Sequence, residues 1–160
     1  EVIALLGADA DETANFQNAA TLASNEVYGL SGIDQYFAWF NRGTSLVKLQ
    51  DYAGASTAYD EAFKVYPTIP ENGRPWRMLW YQFAPFRAYY EVGRHDEVIA
   101  LADATLKTGK SLEEVYYWKG MSQNAKGDPE SAANSWRAAL QFNPNHAESA
   151  AALAALQPAQ

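Results

Sequence analysis

Gly93 and Gly127 stand 34 residues apart, and each separates two stretches of helix-forming sequence. A glycine at such a point takes the left-handed backbone conformation that ends a helix at low steric cost. The same break recurs upstream, so the chain contains three turns in matching positions: Leu49-Gln50-Asp51, Val92-Gly93-Arg94 and Lys126-Gly127-Asp128. Asp128 is suited to cap the helix that follows, and Pro129 to occupy its first turn. Aligned on these turns, residues 39–67, 82–107 and 116–144 each read as a helix, a short turn and a second helix.

The second helices carry Ala55/Tyr59/Ala62, Val98/Ala102/Thr105 and Ala132/Trp136/Ala139 at i, i+4 and i+7, which share one helix face. A small residue lets two helices approach, and a large one fills the adjoining groove. The middle unit departs from the pattern. It has Ala102 where its neighbours carry an aromatic residue, Phe86 at the small position of its first helix, and Pro85 beside it. A proline within a helix removes a donor and clashes with the preceding turn, so a kink or a displaced helix is expected there. The segment from Pro67 to Pro75 holds three prolines and a glycine, and is expected to be an ordered, irregular loop rather than a domain boundary. Asn145–Leu156, with Ala147, Ala150, Leu153 and Ala154 on one face, reads as a closing helix within roughly 145–157. Residues 11–26 read as an opening helix that packs Phe16, Ala19, Leu22 and Ala23, and Val2–Leu6 as the stub of another; Pro158 to Gln160 is expected to be a tail.

This arrangement resembles the tetratricopeptide repeat, a helix-turn-helix unit of 34 residues. Its markers are an aromatic, a small residue four positions on, a glycine-acid turn, then alanine, aromatic, alanine and proline. Trp39, Gly43, Tyr52, Ala55, Tyr59, Ala62 and Pro67 supply them in the first unit. Tyr116, Gly120, Gly127, Asp128, Ala132, Trp136, Ala139 and Pro144 supply them in the third. The resemblance implies an all-α fold, a right-handed α-α superhelix (a solenoid) of about three helix pairs with flanking capping helices. The expected organisation is a single domain over residues 1–160, with repeats near 36–69, 79–110 and 113–146.

Composition narrows the function. The 160 residues are 48% hydrophobic and 19% charged, which fits a folded domain with a sizeable core rather than a disordered tail. No apolar run reaches the roughly 18 residues of a membrane span, so no membrane insertion is expected. The short apolar start, which begins with Glu1, shows no secretory leader. Cysteine is absent, which removes disulfides, thiolate metal sites and cysteine nucleophiles. The net charge is −7, and residues 1–41 contain six acids without a lysine or arginine. Nucleic acid is not an expected partner.

Nothing in the chain assembles into catalytic machinery. Thr108-Gly109-Lys110-Ser111 lacks the first glycine of a phosphate-binding loop, since residue 104 is alanine, and reads as a linker. His95 and His146 each sit at a helix start without the spacing of a metal site. Asp60-Glu61, Asp96-Glu97 and Glu113-Glu114 are adjacent on helices, point about 100° apart, and read as solvated acids. The expectation is a non-catalytic chain without cofactor or metal.

In the tetratricopeptide family the first helices line a concave groove that takes an extended peptide or a partner helix. The resemblance carries that role to Phe37, Phe40, Thr44 and Val47, to Trp80, Phe83, Arg87 and Tyr90, and to Glu114, Tyr117, Met121 and Asn124. These positions are too poor in cations for a clamp on a C-terminal carboxylate, and they imply an aromatic-lined groove for a protein or peptide, including another domain of the same polypeptide. Arg87 is placed to anchor an acid or a carbonyl, and Phe83–Tyr90 is the segment expected to matter most. Trp39, Trp80 and Trp118 could equally pack between repeats. The alternative role is a structural spacer or oligomerisation block. More loosely, the chain is similar to repeat regions that follow papain-like C39 peptidase domains in bacterial, exported proteins, which leaves the compartment open.

Overall fold

A computed structural model describes residues 12–18, 20, 21 and 27–156. Residues 12–18 of the expected opening helix are helical, with Phe16 half-buried. Ala19, Leu22, Ala23, the Val2–Leu6 stub and the Pro158–Gln160 tail lie outside the described residues. Among the described residues all regular structure is helical, and no helix is long and apolar enough to cross a membrane.

The chain divides into two compact units, Glu1–Trp76 and Arg77–Gln160. The division falls just after the proline-rich segment. The segment is ordered and irregular. It forms short 3-10 turns at Tyr66–Thr68 and Glu71–Gly73, and Ile69 is buried. The Arg74 guanidinium donates to the carbonyls of Ile69 and Pro67, both at 2.9 Å. It therefore satisfies two carbonyls in a stretch where prolines supply no donors.

In the first unit α1 (Gly32–Lys48) and α2 (Tyr52–Val65) pack as a hairpin. The second unit holds α3 (Ala84–Glu91), α4 (His95–Thr108), α5 (Glu113–Ala125), α6 (Pro129–Phe142) and α7 (Ala147–Ala155), and successive helices pack on one another. The three expected turns share one hydrogen-bond pattern. Asp51, Arg94 and Asp128 donate to the carbonyls of Leu46, Tyr89 and Gln123 at 2.9, 2.9 and 3.0 Å, while the preceding residue closes a tighter ring. That pattern requires a left-handed residue: Gly93 and Gly127 have φ of 77° and 83°, and Gln50 takes φ of 60° in the first unit. Asp51 and Asp128 cap α2 and α6 through the backbone N–H groups of Gly54 and Ser131, at 2.9 and 3.0 Å.

The face read from the second helices is the core. Ala55, Tyr59, Ala62, Val98, Ala102, Thr105, Ala132, Trp136 and Ala139 are all buried. In the first and third pairs the small residue lies under the large one: a Cβ on Gly43 would lie 2.7 Å from the Tyr59 ring, and one on Gly120 2.5 Å from the Trp136 indole. The middle pair exchanges the sizes. Phe86 and Ala102 occupy the same two register positions and both are fully buried, so the bulk comes from the first helix instead of the second.

One expectation is narrowed and another corrected. Of the kink and the displaced helix expected at Pro85, there is no kink. Pro85 sits in the first turn of α3, where its missing N–H costs nothing, and the shorter helix simply begins there. The closing helix packs through Ser149, Ala152, Leu153 and Leu156, while Ala147, Ala150 and Ala154 are exposed. His146 sets this phase by accepting from the Ser149 N–H at its buried N-terminus.

Candidate functional site

The first unit commits two of its four expected groove residues to its own core. Phe40 is 1% exposed and lies edge-on to Tyr59, with ring centroids 5.1 Å apart. Val47 is also buried. Thr44 is half-buried, with its hydroxyl 3.0 Å from the Tyr59 hydroxyl. Burial raises the pKa of the Tyr59 phenol and the Thr44 hydrogen bond opposes this, while burial and then the nearby Tyr66 and Tyr59 raise that of Tyr36. Phe37 remains half-buried, edge-on to Tyr36. Phe40 and Val47 are thus corrected to core positions: the long α1 turns them toward α2, where their apolar area is removed from water.

In the second unit Trp80 belongs to a 3-10 turn, Met78–Trp80, ahead of α3. Its indole nitrogen donates to the Thr108 hydroxyl at 3.2 Å, and its ring lies so close to Gly109 that a Cβ there would be 2.8 Å away. Trp80 therefore anchors the end of α4 and does not stand on a first helix. The same contact accounts for the glycine in Thr108–Ser111, a linker as expected. Phe83 is the half-buried residue just before α3. Arg87 is exposed and pairs with Glu91 one turn on, at 3.7 Å.

Tyr90 begins a strip of half-exposed rings. Its centroid lies 5.2 Å from that of His95 and 5.6 Å from that of Trp118. Trp118 in turn lies 5.3 Å from Tyr117, and Tyr117 lies 5.6 Å from His146. The strip thus draws on the end of α3, the start of α4, α5 and the residue that caps α7. Such offset and edge-on spacings are those favoured by aromatic quadrupoles. Met121, half-buried, and Asn124, exposed, follow Tyr117 along α5.

Glu114 organises one end of the strip. One carboxylate oxygen accepts from the Trp118 indole N–H at 3.2 Å, and the other lies 2.9 Å from Nε2 of His146. His146 is only 7% exposed, and its Nδ1 accepts from the Ser149 N–H at 3.2 Å. An accepting Nδ1 puts the proton on Nε2 of a neutral ring, so His146 donates to Glu114. Glu113 similarly accepts from the Asn143 side-chain amide at 3.3 Å. The pair expected to be solvated therefore ties α5 to the segment after α6. Burial chiefly raises the pKa of the Tyr117 hydroxyl, reinforced by Glu114, Glu148 and Tyr90; burial and then Glu91 do the same at Tyr90.

Of the expected positions, the structure brings Tyr90, Glu114 and Tyr117 together. Trp118, His95 and His146 join them. The sequence marked Trp118 only as a possible packing residue and the histidines only as helix starts, and both histidines do open helices. Among the described residues no group of three or more His, Asp or Glu could hold a metal ion.

Comparison with known proteins agrees with this architecture. The tetratricopeptide-repeat family profile matches residues 36–69 and again 113–146. The first tetratricopeptide domain of Spaghetti, solved with an HSP90 peptide SRMEEVD, superposes with a TM-score of 0.62 at 17% identity, covering 78% of this chain and 92% of that one. MamA from Desulfovibrio magneticus gives 0.61 at 15% identity, covering 89% and 82%. A probable biofilm formation methyltransferase, WspC of Pseudomonas aeruginosa, is 31% identical over 91 residues, which are 57% of this chain and 22% of that protein. These likenesses establish the shared fold of packed helix pairs. The chain carries tetratricopeptide repeats at residues 36–69 and 113–146, and among the described residues it is all-α and built of packed helix pairs.

Proposed function

We propose that the chain is a non-catalytic module that binds a protein or peptide segment through the aromatic face of its second unit. The observation that carries this reading is the strip Tyr90–Trp118–Tyr117, in which three large rings remain half-exposed on first helices although the equivalent Phe40 of the first unit is fully covered. Half-exposed rings held by their own neighbours offer contact area with little side-chain entropy left to lose on binding. Met121, half-buried one turn after Tyr117 on α5, extends the face with flexible, apolar surface.

A photo-crosslinking residue at Met121, compared with one at the exposed Gln141 on α6, tests this. Tryptic mapping after irradiation in native extract is expected to find a partner attached at position 121 and not at 141. Equal labelling at both positions would remove the binding face from this strip.

A second reading, a structural spacer within a larger polypeptide, draws on the WspC likeness, in which the matched stretch is 22% of that protein. It predicts no preferential labelling at position 121.

A further inference from the structure

We infer that the segment taken by the second-unit face carries a Lys or Arg cation among apolar residues, with that cation seated at Tyr117 between Glu114 and Glu148. This rests on the binding role proposed above and specifies its partner. Charge on the face is one-sided. On α3, Arg87 is balanced by Glu91 one turn later. On α5, Glu114 presents a carboxylate whose donors among the described residues are neutral, the Trp118 indole and His146. On α7, Glu148 is exposed and lies 3.9 Å from Nδ1 of His146. Lys119 and Lys126 are engaged with Asp103 and Asp96 of α4, and Lys110 is exposed in the linker before α5.

Tyr117 lies within the field of both acids: Glu114 and Glu148 each add to the effect of burial on its hydroxyl. A carboxylate arriving there would meet two like charges and no fixed lysine. A guanidinium or ammonium would meet two carboxylates and the negative faces of Tyr117 and Trp118, whose centroids are 5.3 Å apart. Partly desolvated rings strengthen both attractions by lowering the local dielectric. The apolar flanks of the segment would cover Tyr90 and Met121.

The test uses the whole chain on an array of end-blocked nonapeptides with randomised Leu, Phe, Ala and Gln flanks and a central Arg, Lys, Gln or Glu. Arg- and Lys-centred peptides are expected to be retained about fivefold or more over Gln-centred ones at low salt, and to lose that margin near 0.5 M salt. In Glu148→Lys the preference for a cation is expected to fall about tenfold. Glu148 is 64% exposed, so an unchanged helical melt should accompany that loss. The best binder is expected to shift the Trp118 indole N–H resonance.

Equal or better retention of Glu- or Gln-centred peptides overturns the cation and leaves the binding role standing. A binder that leaves the Trp118 resonance unmoved overturns the location. An array that retains nothing overturns both.

Discussion

Gly120 lies directly beneath the Trp136 indole, whose Nε1 donates to the Tyr117 carbonyl at 3.2 Å on the facing helix. A helix normally loses about 1 kcal/mol by carrying glycine instead of alanine. Here the glycine lets α5 and α6 approach closely enough for the indole to be 99% covered while its N–H still finds a partner.

Gly120→Ala is accordingly expected to destabilise the chain, despite its better helix propensity, by about 1–3 kcal/mol. Trp136→Ala is expected to cost about 3–5 kcal/mol. The double variant Gly120→Phe/Trp136→Ala copies the arrangement of Phe86 and Ala102. It should be more stable than the sum of its single changes by about 1 kcal/mol or more. Urea denaturation of the parent chain, Gly120→Phe, Trp136→Ala and the double variant checks this, and strict additivity would show that the two positions do not share one volume.

Gln50 holds a left-handed φ of 60° where the other two turns have glycine. A residue with a Cβ pays about 1–2 kcal/mol for that conformation. Gln50→Gly should therefore raise stability by up to about 1 kcal/mol after the glycine's greater freedom in the unfolded chain is counted. Gly127→Ala should lower it by a similar amount. Thermal melts of the two variants are expected to move in opposite directions.

Asp128 is held below the usual carboxylate range by the hydroxyl and then the backbone N–H of Ser131. A depressed folded pKa stabilises the fold above the unfolded-state pKa, and this contribution is lost as pH falls through the folded value. Acid titration of the helical signal should therefore show a loss in the parent chain that is reduced in Asp128→Asn. Asparagine keeps a capping oxygen but has no charge to lose.

His146 joins α5 to α7 by accepting from Ser149 and donating to Glu114. His146→Ala removes both links and is expected to cost about 2 kcal/mol. His146→Asn retains a good capping side chain and should recover about half of that. Amide exchange should place the loss in Ala147–Ala155 first, because the capping bond closes the first turn of that helix.

The sequence by itself determined the features that depend on local periodicity. The turns at Gly93 and Gly127, the Asp128 cap and the buried faces Ala55/Tyr59/Ala62 and Ala132/Trp136/Ala139 follow from helical geometry and from what each residue type can do at a helix end. Tertiary structure alone decided the rest. Pro85 begins α3 rather than kinking it because the residues before it form a separate turn, a boundary no local pattern shows. Phe40 and Val47 were assigned to an open groove, yet both are buried, Phe40 against Tyr59 of the partner helix α2. Glu114 looked like a solvated acid until His146, 32 residues further on, came within 2.9 Å. Burial and polar pairing are properties of surfaces that meet across the chain, and periodicity specifies which face of a helix is apolar without specifying what will cover it.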